Sequence, residues 1–261
     1  MTIADTPRIL SAIILLTLSA SGNANRLFDI DTYLALGRTS GITLSPDGKY
    51  LAYTHSKRDL EKDARQSSVW MTPTEGGETL RLSAVGTSSW SPKWSPDNRY
   101  LAVLSERGDN RTQVWLYDRR GGDAQQLTDI KQGVRSFEWS FDGTQLALIV
   151  MDPSESDLDD SPPVNRRPWV IDRLQFKRDY VGYLDDRRTH IHVFDLETRT
   201  SRQLTSGSYD HSQVRWSPDG RHLVFVSNRT DWPDSNRNTD LWRVAVDEEN
   251  AEAEQLTSVP Y

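Results

Sequence analysis

Short apolar runs alternate with polar spacers rich in Pro, Asp, Asn and Gly along most of the chain. Four of these runs follow the same phrase. Trp216-Ser217-Pro218-Asp219-Gly220 precedes the run His222 to Ser227, and Trp94-Ser95-Pro96-Asp97-Asn98 precedes Tyr100 to Ser105. Looser copies are Leu44-Ser45-Pro46-Asp47-Gly48 before Tyr50, and Trp139-Ser140-Phe141-Asp142-Gly143 before Gln145. Ser-Pro-Asp-Gly suits a tight turn: Pro presets φ at the second position, and Gly accepts the left-handed conformation at the fourth. Asn98 stands in for that Gly, and Asn tolerates positive φ well. Each apolar run is short, bounded by turn signals and rich in β-branched or aromatic residues, so it predicts a strand.

The phrase recurs with further echoes. Val69-Trp70 matches Val114-Trp115, and Gly76-Gly77 matches Gly121-Gly122. A closing pair repeats as Leu82-Ser83, Leu127-Thr128, Leu204-Thr205 and Leu256-Thr257. Each unit therefore predicts four short antiparallel strands, and units of roughly 45 residues with this phrase predict a β-propeller. The expected fold is all-β, with about four four-stranded blades and an incomplete ring. The nearly continuous apolar runs imply sheets buried on both faces. The polar stretch Lys57 to Gln66 reads as a solvated loop. Ahead of the first unit, Asp31 or Thr32 is positioned to cap a short helix through Leu36, ended by Gly37.

Two segments fall outside the repeat. Arg8 precedes an apolar run, Ile9 to Leu18, followed by small residues up to Ala24. This matches a secretory signal peptide over residues 1–24 and is too short to span a bilayer. The mature propeller would then occupy residues 25–261, in a periplasm or outside the cell, with no stable membrane anchor. The second segment interrupts the third unit at about residues 152–188. Its first part is acidic and Pro-rich; its second is Arg-rich with aromatics. Long insertions of this kind are commonly functional loops or disordered.

The 261 residues carry 31 basic and 38 acidic side chains, for a net charge of -7. The charges are interspersed and form no basic stripe, which argues against a nucleic-acid partner. Cysteine is absent, which removes disulfides, thiolate metal sites and a cysteine nucleophile.

With the repeats in view, the chain resembles the propeller of the prolyl oligopeptidase superfamily, and also the periplasmic TolB-type propeller. The stretch from Asp172-Arg173-Leu174 through Gly182-Tyr183-Leu184-Asp185-Asp186-Arg187-Arg188 to His190-Ile191-His192-Val193 is similar to one in acylaminoacyl-peptidase-like and dipeptidyl-peptidase-like members. Phe28-Asp29-Ile30-Asp31 resembles the start of their mature part. The resemblance implies a secreted serine peptidase acting on short peptides, in which the propeller screens what reaches a following α/β-hydrolase domain. No Gly-x-Ser-x-Gly nucleophile elbow occurs in the 261 residues. The expectation is thus a non-catalytic portion whose partners are a C-terminal hydrolase domain of the same polypeptide and a peptide substrate. The rival expectation is a free-standing TolB-like periplasmic propeller that serves as a binding module.

Few residues present candidate chemistry. Gly207-Ser208-Tyr209-Asp210-His211 has the residue types of a triad, but consecutive loop residues do not supply an oriented base and an oxyanion hole. His190 and His192 share one strand face near Asp195, without a further ligand at useful spacing. Asp157, Asp159 and Asp160 lack the Gly and distal Glu of a calcium loop. No catalytic residue, metal or cofactor is expected. Arg166, Arg167, Arg173, Arg187 and Arg188, with Tyr183 and the neighbouring Trp169 and Tyr180, form the one unusual cluster. It could reach a substrate carboxylate or a neighbouring domain, where Arg binds in bidentate fashion. Salt bridges to the acidic half of the insertion are the structural alternative.

Overall fold

The computed structural model describes residues 29–107, 111–154, 171, 173–179, 181–248 and 251–258. The signal-peptide segment, the acidic first part of the insertion with Asp157, Asp159 and Asp160, and Arg166, Arg167, Trp169 and Tyr180 lie outside the described residues.

Residues up to Ala35 form a unit of their own, whose described part is α1 (Ile30–Ala35). Its cap is Asp29, two residues before Asp31 and three before Thr32: Asp29 Oδ1 accepts from the Thr32 backbone N–H at 2.8 Å. That bond holds the Asp29 carboxyl below its ordinary value.

The second unit, from Leu36, is built of four antiparallel sheets arranged as a four-bladed propeller. Blade one contains β1 (Arg38–Leu44), β2 (Tyr50–Asp59), β3 (Ala64–Pro73) and β4 (Leu80–Arg81). Blade two contains β5 (Ser88–Trp94), β6 (Tyr100–Glu106), β7 (Gln113–Asp118) and β8 (Gln125–Gln126). Blade three begins with β9 (Ser136–Trp139) and β10 (Gln145–Met151). The insertion follows, with a small hairpin of β11 (Lys177–Arg178) and β12 (Gly182–Tyr183). The blade resumes with β13 (Thr189–Asp195) and β14 (Ser201–Gln203). Blade four contains β15 (His211–Trp216), β16 (His222–Ser227), β17 (Asp240–Ala245) and β18 (Glu254–Gln255). Lys57 to Gln66 is not a loop. β2 and β3 stay paired through Asp59 and Ala64, so its charges stand on an extended hairpin.

The repeated phrase has one hydrogen-bond solution, used four times. The Ser45, Ser95, Ser140 and Ser217 hydroxyls donate to Asp47, Asp97, Asp142 and Asp219 at 2.5–2.6 Å. The same oxygens accept the backbone N–H that opens the next strand, at 2.8–2.9 Å. Gly48 and Asn98 hold φ of 71° and 65°, as the turn requires. The Leu-Ser/Thr pair closes the blade in the same manner. Ser83, Thr128, Thr205 and Thr257 hydroxyls accept from Val69, Val114, Ile191 and Leu241 N–H groups at 2.9–3.1 Å. A backbone donor that the short outer strand leaves over is thereby satisfied.

Three inter-blade cores hold the unit together. Ala52 and Val69 of blade one pack with Trp94, Leu101 and Val103 of blade two. Leu104 and Val114 pack with Phe137, Leu146 and Leu148 across blades two and three. Ile149, Ile191 and Val193 pack with Val214, Leu223 and Phe225 across blades three and four. Burial on both faces holds for β6 and β10, whose middle five residues are all buried. It fails for β16, where buried and half-buried residues alternate, and for blade one, where Ile42 and Leu44 of β1 are exposed. Blades two and three have a neighbour on each side; among the described residues, blades one and four have one.

Because consecutive strands are antiparallel, the Ser-Pro-Asp-Gly turns and the β3–β4-type turns share one rim. The loops between second and third strands share the opposite rim. The insertion and the segment 228–239 are both of the latter kind, so one end of the propeller carries most of its irregular structure.

Candidate functional site

The first strands converge on the propeller axis. The residue before the Trp of each phrase is Lys93, Glu138 and Arg215 in blades two to four. These side chains meet: Glu138 Oε2 accepts from Lys93 Nζ at 2.5 Å and from Arg215 at 2.9 Å. One carboxylate thus joins cations from two other blades and leaves the trio with a positive charge. Trp139 and Trp216 Nε1 donate to the carbonyls of Lys93 and Glu138, each at 3.3 Å, tying each blade to the one before. Beside this ring the first strands of blades one, two and four carry bulges, where Gly41, Ser91 and Gln213 take φ of 60°, 52° and 51°. Two residues then oppose one, which turns the strand and re-aims its side chains.

The second feature is the insertion rim. Arg173 reaches Asp234 with two bonds, of 2.7 and 3.0 Å, and donates to the Asp185 carbonyl at 2.6 Å. Asp234 lies in a 3-10 turn, Pro233–Ser235, of the blade-four loop. Both side chains are largely withdrawn from water, at 10% and 20% exposure. The guanidinium holds the Asp234 carboxyl below its usual value, and Asp234 raises Arg173. This fork clamps the insertion to blade four. Around the clamp stand exposed apolar side chains: Leu174, Phe176, Val181 and, next to Asp234, Trp232 at 76%. The Phe176 and Tyr183 rings stack at 6.5 Å.

Between blades three and four the same rim holds a buried pair of histidines. The His190 and His211 rings lie 5.3 Å apart, and His190 Nε2 lies 3.3 Å from Asp152. His211 Nδ1 bonds the Thr189 carbonyl at 2.7 Å, and its Nε2 faces Arg229 at 3.0 Å. Burial, aided by Arg229 and His190, lowers the His211 pKa to about 4. Burial and the neighbouring His190 lower His192 likewise to about 4. With both ring nitrogens engaged, His211 has none free to act as a base for Ser208. Asp195 accepts from Thr198 in its own turn, away from the two histidines on β13. Among the described residues no three metal-ligating side chains converge.

Of the arginines singled out from the sequence, the three described, Arg173, Arg187 and Arg188, each meet a separate carboxylate. Arg173 pairs with Asp234, Arg187 with Asp185 at 2.7 Å, and Arg188 with Asp210 at 3.6 Å. The Arg188 N–H also donates to Asp152. Their carboxylate partners lie in blade four, the blade-four linker and the insertion itself. Tyr183 stands half-exposed on the hairpin.

Sequence reasoning passed over two sets of residues. One is the axial trio, signalled by a charged residue before each Trp. The other is Arg107 and Arg229, each two residues after the last buried Ser of a second strand. Their guanidiniums lie 4.3 Å over Trp115 and 4.6 Å over Trp242. Ser56-Lys57-Arg58 is the same signal in blade one.

No protein-family model matches the chain. It is 29% identical over 220 residues to YuxL of Bacillus subtilis, named an uncharacterized peptidase, which takes in 83% of this chain and 34% of that protein. Among solved structures, an acylaminoacyl peptidase of Pyrococcus horikoshii superposes with a TM-score of 0.62 at 20% identity, over 87% of this chain and 33% of that one. A TolB structure from Agrobacterium tumefaciens gives a TM-score of 0.51 at 16% identity, over 84% of this chain and 80% of that one. The chain spans about a third of the length of the two peptidases it matches. The structural likenesses establish the fold. With relatives that are peptidases by name, the four blades are consistent with the propeller of the prolyl oligopeptidase family and fit a propeller module of a peptidase family.

Proposed function

We propose that this chain is the non-catalytic propeller portion of an exported serine peptidase that hydrolyses short peptides. It would screen access to an α/β-hydrolase domain carried elsewhere in the same polypeptide. The observation that carries this reading is the match to a named peptidase over 83% of this chain but only 34% of that protein, by a propeller without a nucleophile elbow. In this reading further blades cover the exposed faces of blades one and four. The hydrolase domain supplies the serine nucleophile and the acyl-serine intermediate. The propeller acts as a sieve: a short extended peptide passes where a folded chain does not. Residues 1–24 direct export and are removed, so the mature N-terminus falls at Asn25.

The test is to sequence the reading frame past Tyr261, weigh the native protein and treat it with a fluorophosphonate. The reading requires a product much heavier than 29.8 kDa, with a downstream Gly-x-Ser-x-Gly whose serine takes the label. A stop at Tyr261 and an unlabelled, folded, exported product would remove it and leave a TolB-like binding propeller. Terminal sequencing of the exported protein checks the cleavage site. A retained Met1 would refute that part alone.

A further inference from the structure

Blades one and two do not close against each other along their whole length. Towards their outer strands they leave a cleft of about 460 Å³, within the range of small-molecule sites. Its floor is apolar: Met71, Leu80 and Leu82 come from blade one, and Trp94 and Leu101 from blade two. Its polar lining is dominated by arginines with unequal partners. Arg119 pairs with Asp47 at 3.1 Å. Arg81 meets only carbonyls, those of Ser83 and Ala84. Arg107 donates to the Tyr117 hydroxyl at 2.6 Å and lies 4.3 Å over the Trp115 ring. Among the described residues no carboxylate pairs with Arg107 or Arg81. Two acids share the lining, Asp118 and Asp123, and Asp118 is taken by Arg99 and Arg120.

Two buried donors on this lining have no acceptor among the described residues: Arg107 Nε and Trp94 Nε1. Trp94 is 7% exposed, and its counterparts Trp139 and Trp216 both find a carbonyl. A planar guanidinium held over an indole, partly desolvated and with no carboxylate partner among the described residues, is suited to bidentate capture of a carboxylate. The apolar floor beside it selects for a hydrocarbon body attached to that carboxylate. The cleft at Arg229 is more polar: Gln203, Thr205, Ser206 and Glu252 line it, with only Leu204 and the small Ala251 and Ala253 as apolar lining.

The geometry points to the cleft between blades one and two as a binding site for an apolar α-carboxylate, with Arg107 as its anion-binding group. A free N-acyl amino acid and the C-terminal residue of a short peptide share this chemistry. The inference stands apart from the peptidase reading, since it needs no catalytic domain.

The experiment is a titration of the chain, read by calorimetry and tryptophan fluorescence. The probes are N-acetyl-L-leucine, its amide, acetate, and a tripeptide ending in a free leucine carboxylate. N-Acetyl-leucine is expected to bind at least about tenfold more tightly than either its amide or acetate. Arg107→Met abolishes the advantage over the amide, and Arg107→Lys keeps part of it because charge remains without the fork. Tripeptide binding that equals or exceeds that of N-acetyl-leucine assigns the peptide as the source; weaker tripeptide binding assigns the free acyl amino acid. Equal binding of acid and amide, equal binding of acetate, or no binding at millimolar concentration overturns the proposal. The wild-type comparison of acid with amide decides it even where a variant fails to fold.

Discussion

The two rims of the propeller follow opposite rules. On the Ser-Pro-Asp-Gly rim, four turns repeat one network in which Ser, Asp and the backbone satisfy one another locally. On the opposite rim the blades diverge: blade one extends its hairpin, blade three carries the insertion, and blade four adds a 3-10 turn. There the polar groups find partners far along the chain, as Arg173 does with Asp234, 61 residues away. The repeating rim is fixed by hydrogen bonds within each turn, and the divergent rim by pairs that join separate parts of the chain.

Acid should separate the rims most strongly. His211 and His192 have pKa values of about 4, below the ordinary 6.5. Between those values the unfolded chain binds protons that the folded chain excludes. Stability is therefore complete above pH 6.5 and falls as pH drops towards 4, by up to about 3 kcal/mol per histidine. The carboxyls of Asp142 and Asp219 on the turn rim are lowered by their Ser hydroxyls, so their contribution is lost only below their ordinary value of 3.8. Thermal melts from pH 7 to 4 measure this slope, and His211→Asn should flatten it. A slope confined to pH below 4 would contradict the assignment.

Breaking the clamp comes next. Arg173→Ala is expected to release the insertion at a cost of about 2 to 3 kcal/mol, less than for a fully buried pair because Asp234 retains some exposure. The effect is local: limited proteolysis should cut within residues 171–187 while the blades stay folded. Asp234→Ala should do the same, and the double variant should add little, as coupled partners do. A smaller loss, about 1 to 2 kcal/mol, is expected from Ser217→Ala, which removes the donor to Asp219 and the acceptor of the His222 N–H. Denaturant unfolding would register it as a global change, in contrast to the clamp. Smallest is Trp232→Ser, expected to shift stability by less than about 0.5 kcal/mol because the ring is exposed. A large loss of stability there would show that the divergent rim supports the fold after all.

Local chemistry made much of this legible. The turn phrase, the closing Leu-Ser/Thr pair and the run lengths carry their own hydrogen-bonding logic, so the four blades of this chain and their strand order were legible. The cap slipped by two residues because Asp29, Asp31 and Thr32 compete within one turn, and only backbone geometry selects among them. The Lys57 to Gln66 stretch reads as a solvated loop because of its run of charges, whereas the extended β2–β3 hairpin tolerates charge as well. Arg187 and Arg188 were visible as charges, but nothing in the order of residues says that Asp185 and Asp210 would neutralise them.

The sequence by itself determined the repeat, the turns, the all-β architecture and the absence of a nucleophile elbow, since each depends on residues close together along the chain. Only the tertiary structure decided which faces are buried, that Lys93, Glu138 and Arg215 meet at the axis, and that Arg107 lies over Trp115 beside the cleft. Those facts depend on which blade lies against which, and pairings between residues more than forty positions apart are set by the packing of whole sheets.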